Sequence, residues 1–246
     1  MKAAPDAQRR LLDLQVLDGT LDRLAHRRRT LPEIARVAEL TDRLTKLRDE
    51  MVTAETTRSD LEREQHKADQ DVEQVRSRSA RDQQRLDSGA VGSPKDLASL
   101  QAEIESLRRR QADLEETELE IMERLEEATG RVTELTGEQD TVRQELSGVE
   151  ADRDAVFTEI DAEHEQVGGE RTLTAKDIPD DLITLYEKLR KQFDGVGAAA
   201  LEGSRCGGCH LTLNPAELSR VRGAPDDEVV RCDECRRIIV RAGQPR

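Results

Sequence analysis

Four cysteines stand in two pairs, Cys206-Gly207-Gly208-Cys209 and Cys232-Asp233-Glu234-Cys235, with 22 residues between them. A C-x-x-C turn delivers two thiolates to one side of the chain, and two such turns supply the four donors of a tetrahedral zinc ion. The spacer is a little longer than the roughly 15–20 residues usual between such pairs, so it has room for one small element. Asn214-Pro215-Ala216-Glu217-Leu218 reads as the capped start of a short helix. Glu228-Val229-Val230 and Arg237-Ile238-Ile239-Val240 read as strands on either side of the second pair. Cys206, Cys209, Cys232 and Cys235 are therefore the candidate ligands of one structural ion. Zn2+ suits this donor set, and thiolates alone leave iron open as an alternative. With every position of the tetrahedron filled, none remains for water or substrate. Such an ion holds a small lobe together rather than driving a reaction.

Other chemistry fits the same residues less well. Cys206-x-x-Cys209-His210 matches the attachment site of a c-type haem, a reading that leaves the second pair without a task. Two dithiol redox centres would need a strand–helix–strand setting that the flanking residues do not provide. His210 could replace one thiolate, but beside a complete set of four cysteines a surface position is the simpler reading. His26, His66 and His164 fall in charge-rich helical segments and read as solvated.

The rest of the chain must position this cluster, and its composition limits how. Of 246 residues, 37% are charged and 1% aromatic, with no Trp, one Tyr and two Phe. Aromatic side chains supply much of the area of a globular core, so one large enzyme-like core is excluded. From Leu97 to Val167, alternating steps of three and four residues meet an apolar side chain at sixteen of twenty-one positions. A seam kept in phase for that long is a coiled-coil helix. A weaker seam runs from Leu44 to Leu86. Between them Ser88-Gly89-Ala90-Val91-Gly92-Ser93-Pro94 reads as a turn, with Ser93 as N-cap and Pro94 as first helical residue. So short a connection favours antiparallel packing, which places Gln65 level with Glu118 in a polar layer. Upstream, Thr30-Leu31-Pro32-Glu33 reads as a capping box with Pro in the first turn.

The expected fold is mainly α: a long antiparallel coiled-coil hairpin, then a small C-terminal zinc ribbon with short β-strands. The hairpin takes 1–167, with a kink or break near 30–32 and a turn at 88–94. Gly168-Gly169 ends the helix, and 168–177 is a linker. The remainder, 178–246, holds a short helix followed by the ribbon. That helix carries Leu182, Ile183, Leu185, Tyr186, Leu189 and Phe193 as an apolar face available to a partner.

Charge narrows the partners. The chain carries net −14, with residues 1–199 at −15 and 200–246 at +1. An acidic body repels phosphate backbones and membrane surfaces, although Arg205, Arg220, Arg222, Arg231, Arg236, Arg237 and Arg241 could line one face of the ribbon. The first residues lack the apolar run of an export signal, and clustered free cysteines suit a reducing cytoplasm. The residues thus read as a non-enzymatic zinc-binding adaptor or scaffold that engages other proteins through its stalk and the 178–193 helix. The alternative is a regulatory protein that associates with RNA or DNA through the ribbon. The seam does not decide whether the stalk dimerises.

Ser93-Pro94-Lys95, Leu100-x-x-Glu103-Ile104-Glu105, Leu185-Tyr186-Glu187-Lys188-Leu189-Arg190 and the ribbon ending Cys235-x-Arg237-Ile238 together resemble the bacterial C4-type zinc-ribbon proteins with a coiled-coil hairpin. The resemblance spans nearly the whole chain. It implies a non-enzymatic adaptor, in a family associated with export-apparatus, transcription-factor and RNA partners. That family usually has Gly directly after the last cysteine. Here the position is Arg236, where a metal knuckle often asks for positive φ.

Overall fold

The computed structural model describes residues 1–241, which form two compact units: Arg36–Val149, and residues 1–35 together with those from Glu150 onward. The helices are α1 (Pro5–Arg29), α2 (Pro32–Asp87), α3 (Pro94–Lys176), α4 (Asp180–Gln192) and α5 (Pro215–Gly223). The strands are β1 (Ala198–Glu202), β2 (Arg205–Cys206), β3 (Val230–Arg231) and β4 (Ile238–Val240). The mainly helical hairpin with a small terminal sheet is the architecture that the seam and the cysteine spacing predict.

Within Arg36–Val149, α2 and α3 run antiparallel. Leu40, Leu44 and Leu47 bury themselves against Leu135 and Val142, with Met51, Ala54 and Leu146 at the margins. Gln139 interrupts the apolar seam, yet it is buried and donates from Nε2 to the Leu47 carbonyl at 3.1 Å. The polar residue is satisfied across the interface, so it sets register at little cost. Ion pairs between the helices repeat the same antiparallel offset: Arg36 with Glu145, Arg131 with Glu50 at 2.9 Å, and Arg78 with Glu103. All are exposed, where such a pair adds no more than about 1 kcal/mol; their use is in choosing the register. One layer carries like charges. Glu118 shares a hydrogen bond with Asp69, which raises the Glu118 pKa. At the turn, Asp96 N–H donates to Ser93 Oγ at 3.2 Å and starts α3.

The other unit is built differently from the stalk that the seam suggests. Leu11 and Leu14 of α1, Leu182, Tyr186 and Leu189 of α4, and Ala198, Ile238 and Val240 of the sheet share one core. The sheet order is β2-β1-β4-β3, with β1 and β4 parallel and the outer pairings antiparallel. Residues before α1 join its edge: Ala3 N–H donates to Asp227 O at 2.7 Å, and Val229 N–H to Met1 O at 3.1 Å. The first helical segment is therefore part of the lobe that carries the cysteines.

Two expectations need correcting here. Residues 168–177 are not a linker, because α3 continues through Gly168-Gly169 to Lys176. Two helical glycines cost about 1 kcal/mol each, but Ala175 packs on the core and Arg171 pairs with Asp18, which anchors the end of the helix. The helix at 178–193 has no free apolar face either. Leu182 and Tyr186 are fully buried and Leu189 is 1% exposed, since α1 and the sheet occupy that side. A partner cannot dock there without unfolding the lobe.

Candidate metal centre

The four cysteines arrive from two tight turns that follow the outer strands of the sheet, β2 and β3. Cys206 ends β2 and its turn runs to His210, whose N–H donates back to the Cys206 carbonyl at 2.8 Å. Cys232 follows β3, and Arg236 N–H donates to the Cys232 carbonyl at 2.9 Å. The two turns are the same structure used twice. Each places a residue in the left-handed region directly after its second cysteine, His210 at φ +60° and Arg236 at φ +62°. Non-glycine residues pay about 1–2 kcal/mol for that conformation. Replacing either by Gly should therefore stabilise the lobe by about 0.5–1 kcal/mol, after the extra freedom of the unfolded chain is deducted. A thermal melt of the zinc-loaded protein reads this as an upward shift. A lower midpoint would mean that the side chains hold the turns.

All four Sγ atoms lie within 4.8 Å of one another. Cys206 Sγ and Cys235 Sγ are 3.8 Å apart. A disulfide needs about 2.05 Å, whereas four sulfurs about 2.3 Å from a tetrahedral centre stand about 3.8 Å apart along each edge. The spacing fits an ion and not a bond. Cys206 and Cys232 are buried, Cys209 and Cys235 half-buried.

Electrostatics in the turns favour a cation. Burial pushes the Cys206 thiol up and the Cys232 thiol up to about 12. Backbone N–H groups of Gly208 and Cys209, and of Glu234 and Cys235, oppose this by favouring the thiolates. Burial raises Cys235 too, but the N–H of Arg237 and the neighbouring side-chain donors outweigh it and leave that thiol below its ordinary value. Hydrogen bonds favour ionisation of these sulfurs and burial opposes it. A divalent ion on the four thiolates would supply the positive charge that favours them.

The arginines do not form one free face. Arg237 donates to the carbonyls of Val196, Phe193 and Gly208 at 3.0, 3.1 and 3.2 Å and lies over the Phe193 ring. Its Cδ passes so near Gly208 that a Cβ there would stand 2.9 Å away. The glycine admits the arginine that ties the first turn to α4. Arg241 serves the carbonyls of Ala224, Pro225 and Glu228. Arg205 donates to His210 O, Arg222 to Gly203 O and Arg231 to Arg236 O, while Arg220 pairs with Asp233 at 2.8 Å. Among the described residues only Arg236 of the seven makes no side-chain hydrogen bond or ion pair. His26, His66, His164 and His210 are exposed.

Two groups escaped the sequence reading. Asp18 is buried at 1% exposure, with Tyr186 Oη at 2.7 Å and Arg171 Nε at 2.6 Å. Nothing in the pattern around Leu14, Leu17 and Leu21 marks this aspartate as internal. Glu217 is buried as well and accepts from Asp233 N–H at 2.7 Å. Its spacing from Asn214 reads as a capping box, and that signal hides the other task of its side chain.

Known proteins carry the same two parts. A model of the CT398-like coiled coil hairpin domain matches residues 14–194, and one of the C4-type zinc ribbon domain matches residues 205–239. The chain is 36% identical over 241 residues to the Mycobacterium tuberculosis protein Rv2229c, covering 98% of each. A solved structure from Mycobacterium smegmatis is similar at a TM-score of 0.84 and 37% identity, over 98% of this chain and 100% of that one. CT398 from Chlamydia trachomatis is similar in fold at a TM-score of 0.69 and 20% identity, over 95% and 97% of the two chains.

Proposed function

Since the chain belongs to the CT398-like coiled-coil hairpin family and carries a C4-type zinc ribbon, we propose that it is a non-enzymatic adaptor. In this reading its ribbon is held by one zinc ion on Cys206, Cys209, Cys232 and Cys235, and its hairpin docks other proteins. The convergence of four sulfurs within 4.8 Å of one another, one pair at 3.8 Å, carries the metal part. A site closed by four thiolates offers no place for water or substrate, which favours a structural ion. The hairpin supports the docking part with Leu119 and Met122, 60% and 43% exposed on successive turns of α3 and off the buried seam.

Protons compete with the metal. Coordinated thiolates behave as thiols of greatly lowered pKa. Their contribution is complete above the unfolded thiol value near 8.5 and drains away as pH falls. Cys206 and Cys232, raised by burial, each give up a proton on loading. The apparent zinc affinity should therefore fall by at least about 100-fold per pH unit between roughly pH 8 and 6. Chelator competition at three pH values measures the slope, and a flat profile would mean that other atoms hold the ion.

Docking is tested with a photo-crosslinker at exposed Glu126, one turn beyond Met122, in the parent hairpin and in one that also carries Leu119→Asp and Met122→Asp. The pair lies outside the seam, so helicity should persist while protein crosslinks drop by an order of magnitude or more. Capture that survives the double variant would move docking off this face. Capture abolished by nuclease, or lost steeply between about 50 and 200 mM salt, would replace the protein partner by nucleic acid.

A further inference from the structure

The spacer between the cysteine pairs carries one buried carboxylate whose position the helix start does not explain. In each turn the second and third N–H groups after the first cysteine point at its sulfur: Gly208 and Cys209 at Cys206, Glu234 and Cys235 at Cys232. One amide per turn is left over. In the first turn, Gly207 N–H donates to the Ala200 carbonyl of β1 at 2.9 Å. In the second turn, the equivalent Asp233 N–H donates to Glu217 Oε1 at 2.7 Å. A side chain from α5 thus does for the second turn what a strand carbonyl does for the first.

Glu217 gives up much to be there. It is 3% exposed, and its Oε2 is buried without a hydrogen-bond partner among the described residues. Burying a carboxylate is costly unless it is well paired, and the cap of α5 does not need it. Asn214 is the N-cap, its Oδ1 accepting from Glu217 N–H at 2.8 Å. Arg220, one turn further along, grips the Asp233 carboxylate from outside. We propose that Glu217 is a positioning residue of the metal centre, which fixes the second cysteine turn through the Asp233 amide. This rests on the reading of the four cysteines as ligands. Groups one shell out from a metal commonly govern how firmly it is held.

The test uses the full zinc-loaded chain and its Glu217→Ala, Glu217→Gln and Val221→Ala variants. Val221 is fully buried on the same helix and packs in the core around the cysteines, so its truncation loosens that core without removing the hydrogen bond to the Asp233 amide. Zinc content and the rate of transfer to a colorimetric chelator are measured. Glu217→Ala should release zinc about 10–100-fold faster than the parent and well ahead of Val221→Ala. Glu217→Gln, which keeps an acceptor oxygen, should stay within a few-fold of the parent. The amide resonance of Asp233 gives a second readout: Glu217→Gln should shift it and leave that of Gly207 in place, a measurement that does not require the alanine variant to fold. Release no faster than in Val221→Ala, or an unmoved Asp233 resonance, overturns the role of Glu217 while the zinc reading stands. A parent protein that holds no zinc overturns the reading beneath it.

Discussion

Replacing Cys232 by Ser should abolish zinc binding and cost the ribbon its fold, with the helices of Arg36–Val149 left intact. The core around the cysteines is small: Cys206, Leu213, Val221, Val230, Cys232 and Ile239, two of which are themselves candidate ligands. Its four aliphatic side chains contribute about 6–12 kcal/mol of burial, which the chain entropy of ordering the lobe offsets at about 1–2 kcal/mol per residue, whereas a structural zinc ion is worth about 10–16 kcal/mol near neutral pH. A serine hydroxyl in place of a buried thiolate is a hard, protonated donor that holds zinc poorly. Elemental analysis should therefore fall from one equivalent to none. Amide protection should disappear from β1, β3 and β4 and persist in the Leu40–Leu47 and Leu135–Val142 segments. A strong chelator added to the parent protein should reproduce the same pattern. Zinc retained at one equivalent by the serine variant would remove Cys232 from the ligand set.

The fold class was legible because its signals are periodic and local. A seam with Leu100, Ile104, Leu135 and Val142 in phase can only be a helix that pairs with another, and each of these residues is buried. The cysteine pairs were legible for the same reason, since a ligand set is a matter of residue type and short spacing. What the sequence could not disclose was three-dimensional sharing. Leu14, Leu17, Leu21 and Leu24 keep the same spacing as the stalk residues, but Leu14 packs with Leu11 on α4 and the sheet; periodicity tells which face is buried and not against what. The apolar face of α4 looked available because its cover comes from residues about 170 positions earlier.

The arginines illustrate the opposite error, in which composition suggests a surface that geometry spends elsewhere. Small strands leave carbonyls without partners at their ends, and a guanidinium with five donors is well suited to collect them. Arg241 does this for the residues after α5, and Arg237 for those after α4. A basic count near a zinc ribbon is therefore partly a count of backbone acceptors. Only the partner of each guanidinium separates the two uses.

Asp18→Ala is the substitution in the helical part of this unit expected to cost most. The carboxylate is buried, accepts from Tyr186 Oη at 2.7 Å and from Arg171 Nε at 2.6 Å, and lies 3.6 Å from Arg190 Nε. Burial and this carboxylate together push the Tyr186 pKa up, so its hydroxyl remains a donor. Removing Asp18 strands the Tyr186 hydroxyl and Arg171 Nε, and it takes away the carboxylate 3.6 Å from Arg190 Nε, which is already buried without a hydrogen bond. Breaking a buried ion pair costs about 3–5 kcal/mol. The arginines here are still 25% and 21% exposed, so solvent screening puts the expected loss at the lower end, about 3 kcal/mol. Tyr186→Phe removes one neutral donor and should cost about 1–2 kcal/mol. Because Asp18 and Tyr186 share a bond, the double variant should lose less than the sum of the two. Native-state hydrogen exchange of the α4 amides measures all three. Additive losses would mean that the aspartate serves the arginines alone, and a loss below about 1 kcal/mol for Asp18→Ala would mean that water takes its place. The second result would leave the hold of α1 on α4 to its other contacts. The expected one makes the helix that opens the chain a structural part of the metal-binding lobe.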